Sequence, residues 1–371
     1  MNGFGHGRVQ APPGVQCFVG EEARRRRRIE ERVVSVFEGW SYEEIIPPLF
    51  DYADVFLGEL SSKTYSFVGR DGSLLALRPD FTSLLAKIAA GRLLQQPAPM
   101  RLYYSGEVLR YEPPKAGRQS ELFQMGCEHL GGAPPTADAE VLAIAAECLE
   151  AAGAKDYVLS LGHVGVFAGL VAESGLDAGR VEALRERIES KDEAGVRETL
   201  RGSGASARLG QALESLASFA GELGRLREAQ EAFAFSPPAA AALDELGQSA
   251  GALAAAGLAD RLALDLAEVR GLDYYTGLVF RAYAPGLGFE VASGGRYDSL
   301  LARFGRPLRA VGFMIGLDRL ALLLERQGGL GSTSQPRAET LEPRGGLGER
   351  LRLARERRRA GARIRLDGGV R

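Results

Sequence analysis

Residues 122–130 (LFQMGCEHL) alternate as a strand does, yet they put Gln124 and Glu128 on one face with Leu122, Gly126 and Leu130. The other face carries Phe123, Met125, Cys127 and His129. Both faces are partly apolar, so the strand is expected to be covered on each side. A buried amide and a buried carboxylate then need partners, because a polar group left unpaired away from water costs free energy. Residues 101–110 (RLYYSGEVLR) also alternate, bringing Tyr104, Gly106, Val108 and Arg110 to one face. Two chemistries fit this pair of strands. One is an Arg110–Glu128 ion pair that stiffens a sheet. The other is a ligand site in which arginine meets a carboxylate and glutamate meets a donor. Two further segments carry comparable groups. Residues 270–277 (RGLDYYTG) gather Arg270, Tyr274, Tyr275 and two glycines at a strand entrance. Residues 293–298 (SGGRYD) are expected to form a glycine turn that lets backbone approach a neighbour closely. Asp80, which precedes a helix, reads first as an N-cap.

The elements that must position these groups are readable in outline. Residues 21–38 form a helix with Ile29, Val33, Val36 and Phe37 on one face. The arginine run 24–28 is offset by Glu21, Glu22, Glu30 and Glu31 and reads as a solvated face. A strand at Leu74–Leu77 leads through Arg78-Pro79-Asp80 into a helix at Thr82–Ala90. The strands 101–110 and 122–130 make a hairpin with a long loop. An alanine-rich helix (135–153) and a strand (157–161) follow. Residues 165–262 have helical periodicity broken only near 202–204 and at Pro237-Pro238, which implies a separate helical insertion. Strands are expected at 277–283, 288–292 and 310–316, then a helix at 317–326. Composition shifts after Gln327: 328–350 reads as a flexible linker, and 351–371 as a short tail with one basic helix and a strand-like Arg-Ile-Arg-Leu. The class is α+β, hairpin-rich and antiparallel.

Composition excludes several functions. With 371 residues and a net charge of -2, the chain does not have the basic balance of a nucleic-acid binder. Three distant cysteines (Cys17, Cys127, Cys148) give neither a disulfide framework nor zinc spacing, which fits a reducing cytoplasm. No signal-peptide core or membrane-length apolar run is present.

Taken in order, the segments resemble the catalytic domain of histidyl-tRNA synthetase, a class II aminoacyl-tRNA synthetase. Residues 42–51 (YEEIIPPLFD) are similar to class II motif 1, the dimerisation segment. Residues 110–128 (RYEPPKAGRQSELFQMGCE) are similar to motif 2, and 312–320 (GFMIGLDRL) to motif 3, with Arg319 opening its helix. The segments RGLDYYTG and SGGRYD are similar to two that are peculiar to the histidine enzyme, and 161–167 (LGHVGVF) is similar to its regulatory paralogue. The resemblance implies a class II synthetase-like, six-stranded antiparallel sheet flanked by helices, dimers formed through motif 1, and a histidine pocket. It places Arg110 and Arg270 around the amino-acid carboxylate and the reacting centre. It places Asp80, Thr82 and Gln124 around the α-ammonium, and Glu128 and Tyr275 on the imidazole, with Tyr274 beside them.

Departures from the family pattern redirect the expected function. Where the family has Glu-Gly-Thr, this chain has Asp80-Phe81-Thr82; the second arginine of the motif 2 loop is Pro113; the aromatic that stacks on adenine is Leu122. Only 21 residues follow the expected linker, against about 50–100 or more for a small domain such as an anticodon reader. The pattern resembles the regulatory subunits of ATP phosphoribosyltransferase. That implies a non-catalytic cytoplasmic subunit with no cofactor or metal. It would bind L-histidine and be required for the activity and feedback control of a short-form catalytic subunit. It would be a homodimer within a hetero-oligomer, without tRNA or membrane. The alternative is a free-standing histidine-adenylating or aminoacyl-transferring enzyme using Arg110 and Arg319 on ATP. Otherwise those two arginines are ion pairs at a strand end and a helix start.

Overall fold

The computed structural model describes residues 11–12, 14–56, 58–111, 119–172, 174–269, 274–328, 338–341 and 346–366. The chain divides into two compact units, Met1–Gly329 and Leu330–Arg371.

The first unit contains twelve strands among its described residues. In chain order they are β1 (Glu43–Glu44), β2 (Phe50–Tyr52), β3 (Ser66–Val68), β4 (Leu74–Leu77), β5 (Met100–Leu109), β6 (Glu121–Leu130), β7 (Val158–His163), β8 (Ala220–Glu222), β9 (Leu262–Asp265), β10 (Leu278–Tyr283), β11 (Ala292–Arg296) and β12 (Ala310–Gly316). Nine of them form one sheet in the order β1-β5-β6-β12-β11-β10-β7-β9-β8. The six from β5 to β7 are antiparallel throughout, which is the sheet expected from sequence. It is extended by β1 and β9, each parallel to its neighbour, and by β8. Strands β2, β4 and β3 make a separate small sheet.

Helices α1 (Gly20–Gly39), α2 (Thr82–Ala90) and α3 (Thr136–Ala152) flank the hairpin strands. The stripe Ile29, Val33, Val36 and Phe37 of α1 is fully or nearly buried, each such side chain contributing about 1.5–3 kcal/mol. Phe37 stacks on Tyr103 at 5.4 Å and meets Phe313 at 6.1 Å. The helix layer therefore covers the face of β6 that carries Cys127, the register partner of both aromatics. On the opposite face Phe81, Leu85, Tyr104, Leu130, Tyr297 and Leu301 form a second cluster. Strand β6 is covered on both sides, and its last seven residues are buried.

Three sequence expectations change in the first unit. The strand expected at 288–292 lies at Ala292–Arg296, so the residues read as a glycine turn are strand β11. The stretch 165–262 is not helical throughout. Its helices α4 (Val164–Ala172), α5 (Ala178–Glu189), α6 (Glu193–Leu200), α7 (Ala207–Leu216), α8 (Leu226–Phe233) and α9 (Pro237–Leu253) are interrupted by β8, which pairs with β9 and adds an edge to the main sheet. Pro237 starts α9, where a missing N–H costs nothing. The arginine run is also less free than it reads, since Arg26 reaches Asp318 at 2.7 Å and ties α1 to α10 (Leu317–Arg326).

In the second unit, β13 (Glu339–Leu341) pairs in parallel with β14 (Ile364–Leu366), and α11 (Leu347–Arg359) makes the crossover. Strand β13 and the start of α11 thus fall inside the segment expected to be a linker. No helix among the described residues is long and apolar enough to cross a membrane.

Candidate functional site

The register of the sheet explains how a polar site is built into an apolar core. Glu128 of β6 lies opposite Leu102 on one side and Gly312 on the other. Gly126 lies between Tyr104 and Met314, and Gly295 lies beside Gly312. A Cβ on Gly312 would come within 1.6 Å of Glu128 Oε2, and one on Gly126 within 2.4 Å of the Tyr104 hydroxyl. A Cβ on Gly295 would lie 2.9 Å from the Tyr275 ring. Each glycine is therefore the seat of a neighbouring side chain. The glycines of β11 and β12 serve strand packing and not a turn.

Above this floor is a cavity of about 600 Å³ lined by Asp80, Thr82, Arg110, Gln124, Glu128, Tyr274 and Tyr275 among others. Seven of the eight residues expected to hold a ligand converge there. Arg270 lies outside the described residues, as does Pro113. Other walls include Tyr104, Tyr297, Arg281, Glu290 and Arg303, with Val181, Glu182 and Arg185 of α5.

Glu128 is 1% exposed. Its Oε1 accepts from the Thr82 hydroxyl at 2.7 Å and its Oε2 from the Tyr297 hydroxyl at 2.5 Å. The Arg110–Glu128 ion pair considered from sequence is not formed; Arg110 Nε donates to the Pro79 carbonyl at 2.7 Å. Burial pushes the Glu128 carboxyl up to about 8, with a smaller push from Asp80, against the two hydroxyl donors. Burial likewise raises the phenols of Tyr104, Tyr274 and Tyr297 well above their ordinary value. They remain O–H groups at neutral pH.

Asp80 has the N-cap contacts that the sequence predicts and one oxygen left over. One carboxylate oxygen, Oδ2, accepts from Ser83 N at 3.1 Å and Ser83 Oγ at 3.0 Å, capping the first turn of α2. The other, Oδ1, is buried and has no hydrogen-bond partner among the described residues. Burial raises this carboxyl, opposed by the Ser83 bonds and by the charge of Arg110. An acceptor held rigidly by its twin and left unsatisfied at a cavity wall is prepared for a donor that arrives with a ligand.

Phe81, where the family has glycine, does not fill the cavity. It stacks on Tyr104 at 4.1 Å, lies under the Arg78 guanidinium at 4.3 Å, and is 1% exposed. Arg319 donates to Glu290 Oε1 at 2.6 Å and to the Glu290 carbonyl at 2.9 Å, with its guanidinium over Phe289. The structural reading of this arginine, an ion pair at a helix start, is the observed one.

Sequence reasoning missed Tyr297, Ser83 and the α5 residues. Tyr297 stood in the SGGRYD segment, and reading that segment as a turn hid its approach to Glu128. Nothing in the amphipathic pattern of α5 distinguishes the residues that line the cavity from those on its other faces.

The histidyl-tRNA synthetase family profile matches residues 14–320. The ATP phosphoribosyltransferase regulatory subunit of Moorella thermoacetica is 38% identical over 97% of this chain and 92% of its own length. That of Geobacter sulfurreducens is 40% identical over 85% of this chain and 73% of its own. A Bacillus halodurans structure, described as an ATP phosphoribosyltransferase regulatory subunit/histidyl-tRNA synthetase, superposes with a TM-score of 0.87 at 27% identity, over 100% of this chain and 95% of that one.

Proposed function

The chain belongs to the ATP phosphoribosyltransferase regulatory subunits, a branch of the histidyl-tRNA synthetase family, and we propose that its cavity binds free L-histidine and conveys the histidine level to a short-form catalytic subunit in the cytoplasm. The observation that carries this reading is the unpartnered Asp80 Oδ1 in the same cavity as Glu128. An α-ammonium supplies the donor that Asp80 lacks, with Thr82 and Gln124 beside it. A planar ring lies against the aromatic group that Tyr274, Tyr275 and Tyr297 form by packing on one another, with its polar edge on Glu128. Arg110 and Arg270 serve the carboxylate end. The subunit does not aminoacylate in this reading, which is supported by the hold of the Glu290 side chain and carbonyl on Nη1 of Arg319, the arginine an adenylating enzyme would turn to ATP. It acts as a homodimer through the motif 1 region. This is supported by the exposed apolar side chains of Ile46, Phe50, Tyr52, Phe67, Val68 and Leu74 on and beside the small sheet.

Calorimetry on the isolated subunit tests the pocket. L-histidine is expected to bind with one site per chain. A charged hydrogen bond contributes about 1.5–3 kcal/mol, so Asp80→Asn and Glu128→Ala should each weaken binding about ten- to a hundred-fold. Affinity unchanged in both variants would remove the assignment. Histidine-dependent ATP–pyrophosphate exchange, abolished by Arg319→Ala, would restore the enzyme reading.

A further inference from the structure

We propose that Glu128 meets its ligand as a neutral carboxyl and passes its proton to a ring nitrogen, so that the pocket selects a basic aromatic ring and holds it as a cation. This rests on the histidine-binding reading above. The argument starts from what faces the carboxyl. Thr82 of α2 and Tyr297 beyond β11 each donate a hydroxyl to it. Tyr104 of β5, with Tyr274 and Tyr275 ahead of β10, contributes phenols that stay protonated. Strand β12 offers Gly312, which has no side chain. Arg110 lies on the Asp80 side and donates to Pro79. Among the described residues no cation contacts Glu128, and the charged group that acts on it is a second buried carboxyl, Asp80.

Two buried carboxyl groups sharing one cavity are not both ionised without compensation. Asp80 is the better candidate for charge, since it has the Ser83 donors and Arg110 near it. Glu128 therefore carries the proton, and its elevated value of about 8 agrees with that. When an imidazole arrives neutral, the Glu128 O–H bond breaks and a new N–H bond forms on the ring nitrogen that bears a lone pair. Nothing else is consumed or released. The carboxylate left behind already has two hydroxyl donors in place and now faces a cation in contact. The interval between about 8 and the ordinary imidazole value near 6.5 is small beside that attraction in a low-dielectric site. A phenyl or thienyl ring, or a carboxamide, cannot take the proton and would leave Glu128 with no cation opposite it.

The test is nitrogen NMR of ring-labelled L-histidine bound to the full chain at pH 7, with calorimetry in two buffers of different ionisation enthalpy. The expected result is a ring protonated on both nitrogens with no net proton taken from buffer. Glu128→Gln should bind about tenfold or more weakly and give a ring with one bare nitrogen. Thienylalanine, which has no basic ring nitrogen, should bind wild type at least about a hundredfold more weakly than histidine. A singly protonated ring in the wild-type complex overturns the proton transfer and leaves histidine binding intact. So does a doubly protonated ring in the Glu128→Gln complex, which would mean the proton comes from elsewhere. No binding of histidine at millimolar concentration overturns the pocket reading itself.

Discussion

Glu128 carries two hydroxyl donors and no described cation, and the cost of that arrangement depends on pH. Its value rises from an ordinary 4.5 to about 8 in the folded chain, through burial first. Between those values the folded state holds more protons than the unfolded one, so stability falls as pH rises. The contribution is fully present below about 4.5 and is lost as pH climbs through 8, at up to about 1.4 kcal/mol per pH unit. Thermal unfolding from pH 5 to pH 8 should therefore show the unliganded wild type losing ground against Glu128→Gln, which has no carboxyl to ionise. Saturating histidine should reverse the loss in wild type. A constant difference between the two proteins across that range would mean that Glu128 is already ionised at pH 5. The polarity of this position was legible in the sequence, because strand alternation leaves Gln124 and Glu128 on a face that burial makes expensive. The identity of the donors was not. Thr82 and Tyr297 lie 46 and 169 residues away along the chain, and only the register of the sheet brings them to the carboxyl.

At the scale of elements, the sequence names most of the strands and helices, and the errors share a cause. Helix α2 and strand β4 lie where periodicity and the Arg78-Pro79 break put them. Strand β11 was misread because Ser293-Gly294-Gly295-Arg296 lacks the β-branched residues that announce a strand. Its glycines are fixed by what stands over them, and that information belongs to the neighbouring strands and to Tyr275. Gly312 makes the point testable. A Cβ there would fall 1.6 Å from Glu128 Oε2 and 2.6 Å from the Cys127 carbonyl. Gly312→Ala should move Glu128, weaken histidine binding about tenfold or more, and cost about 1–3 kcal/mol of stability through overpacking. Gly288→Ala is the matched control, because a Cβ there meets nothing within 4 Å. Equal histidine affinity in the two variants would show that the carboxyl tolerates a floor of ordinary side chains.

The whole molecule has to connect this cavity to other chains. The small sheet of β2, β4 and β3 presents Phe50, Tyr52, Phe67, Val68 and Leu74 to solvent, next to Ile46, which is 85% exposed. Phe50, Tyr52 and Phe67 share one face of this sheet, with Phe50 against Phe67 at 5.7 Å, while Val68 and Leu74 lie on the other. Exposed apolar side chains of this kind mark an interface, and the occupant proposed from the motif 1 resemblance is a second copy of the chain. Ile46→Asp combined with Val68→Asp should turn a dimer into a monomer in sedimentation analysis. Dimers that persist would move the interface elsewhere.

The proposed feedback requires that occupancy of the cavity changes what the assembly does, and the cavity walls suggest how. They are drawn from the sheet, from α2 and from α5 of the stretch inserted between β7 and β9, so separate parts of the subunit bound the cavity. Regulation is a coupling free energy between two sites, typically about 1–3 kcal/mol, and a subunit that does not bind histidine has nothing to transmit. Glu128 is buried and does not contribute to an outer surface on which a catalytic subunit could dock. In a reconstituted complex, Glu128→Ala should therefore leave phosphoribosyltransferase activity near the wild-type level. It should also raise the histidine concentration needed for half-inhibition by about ten- to a hundred-fold, in step with the loss of binding measured on the isolated subunit. If binding falls and inhibition does not, the inhibitory site lies on the catalytic partner. If activity falls with binding, Glu128 serves the fold of the activating surface as well as the pocket.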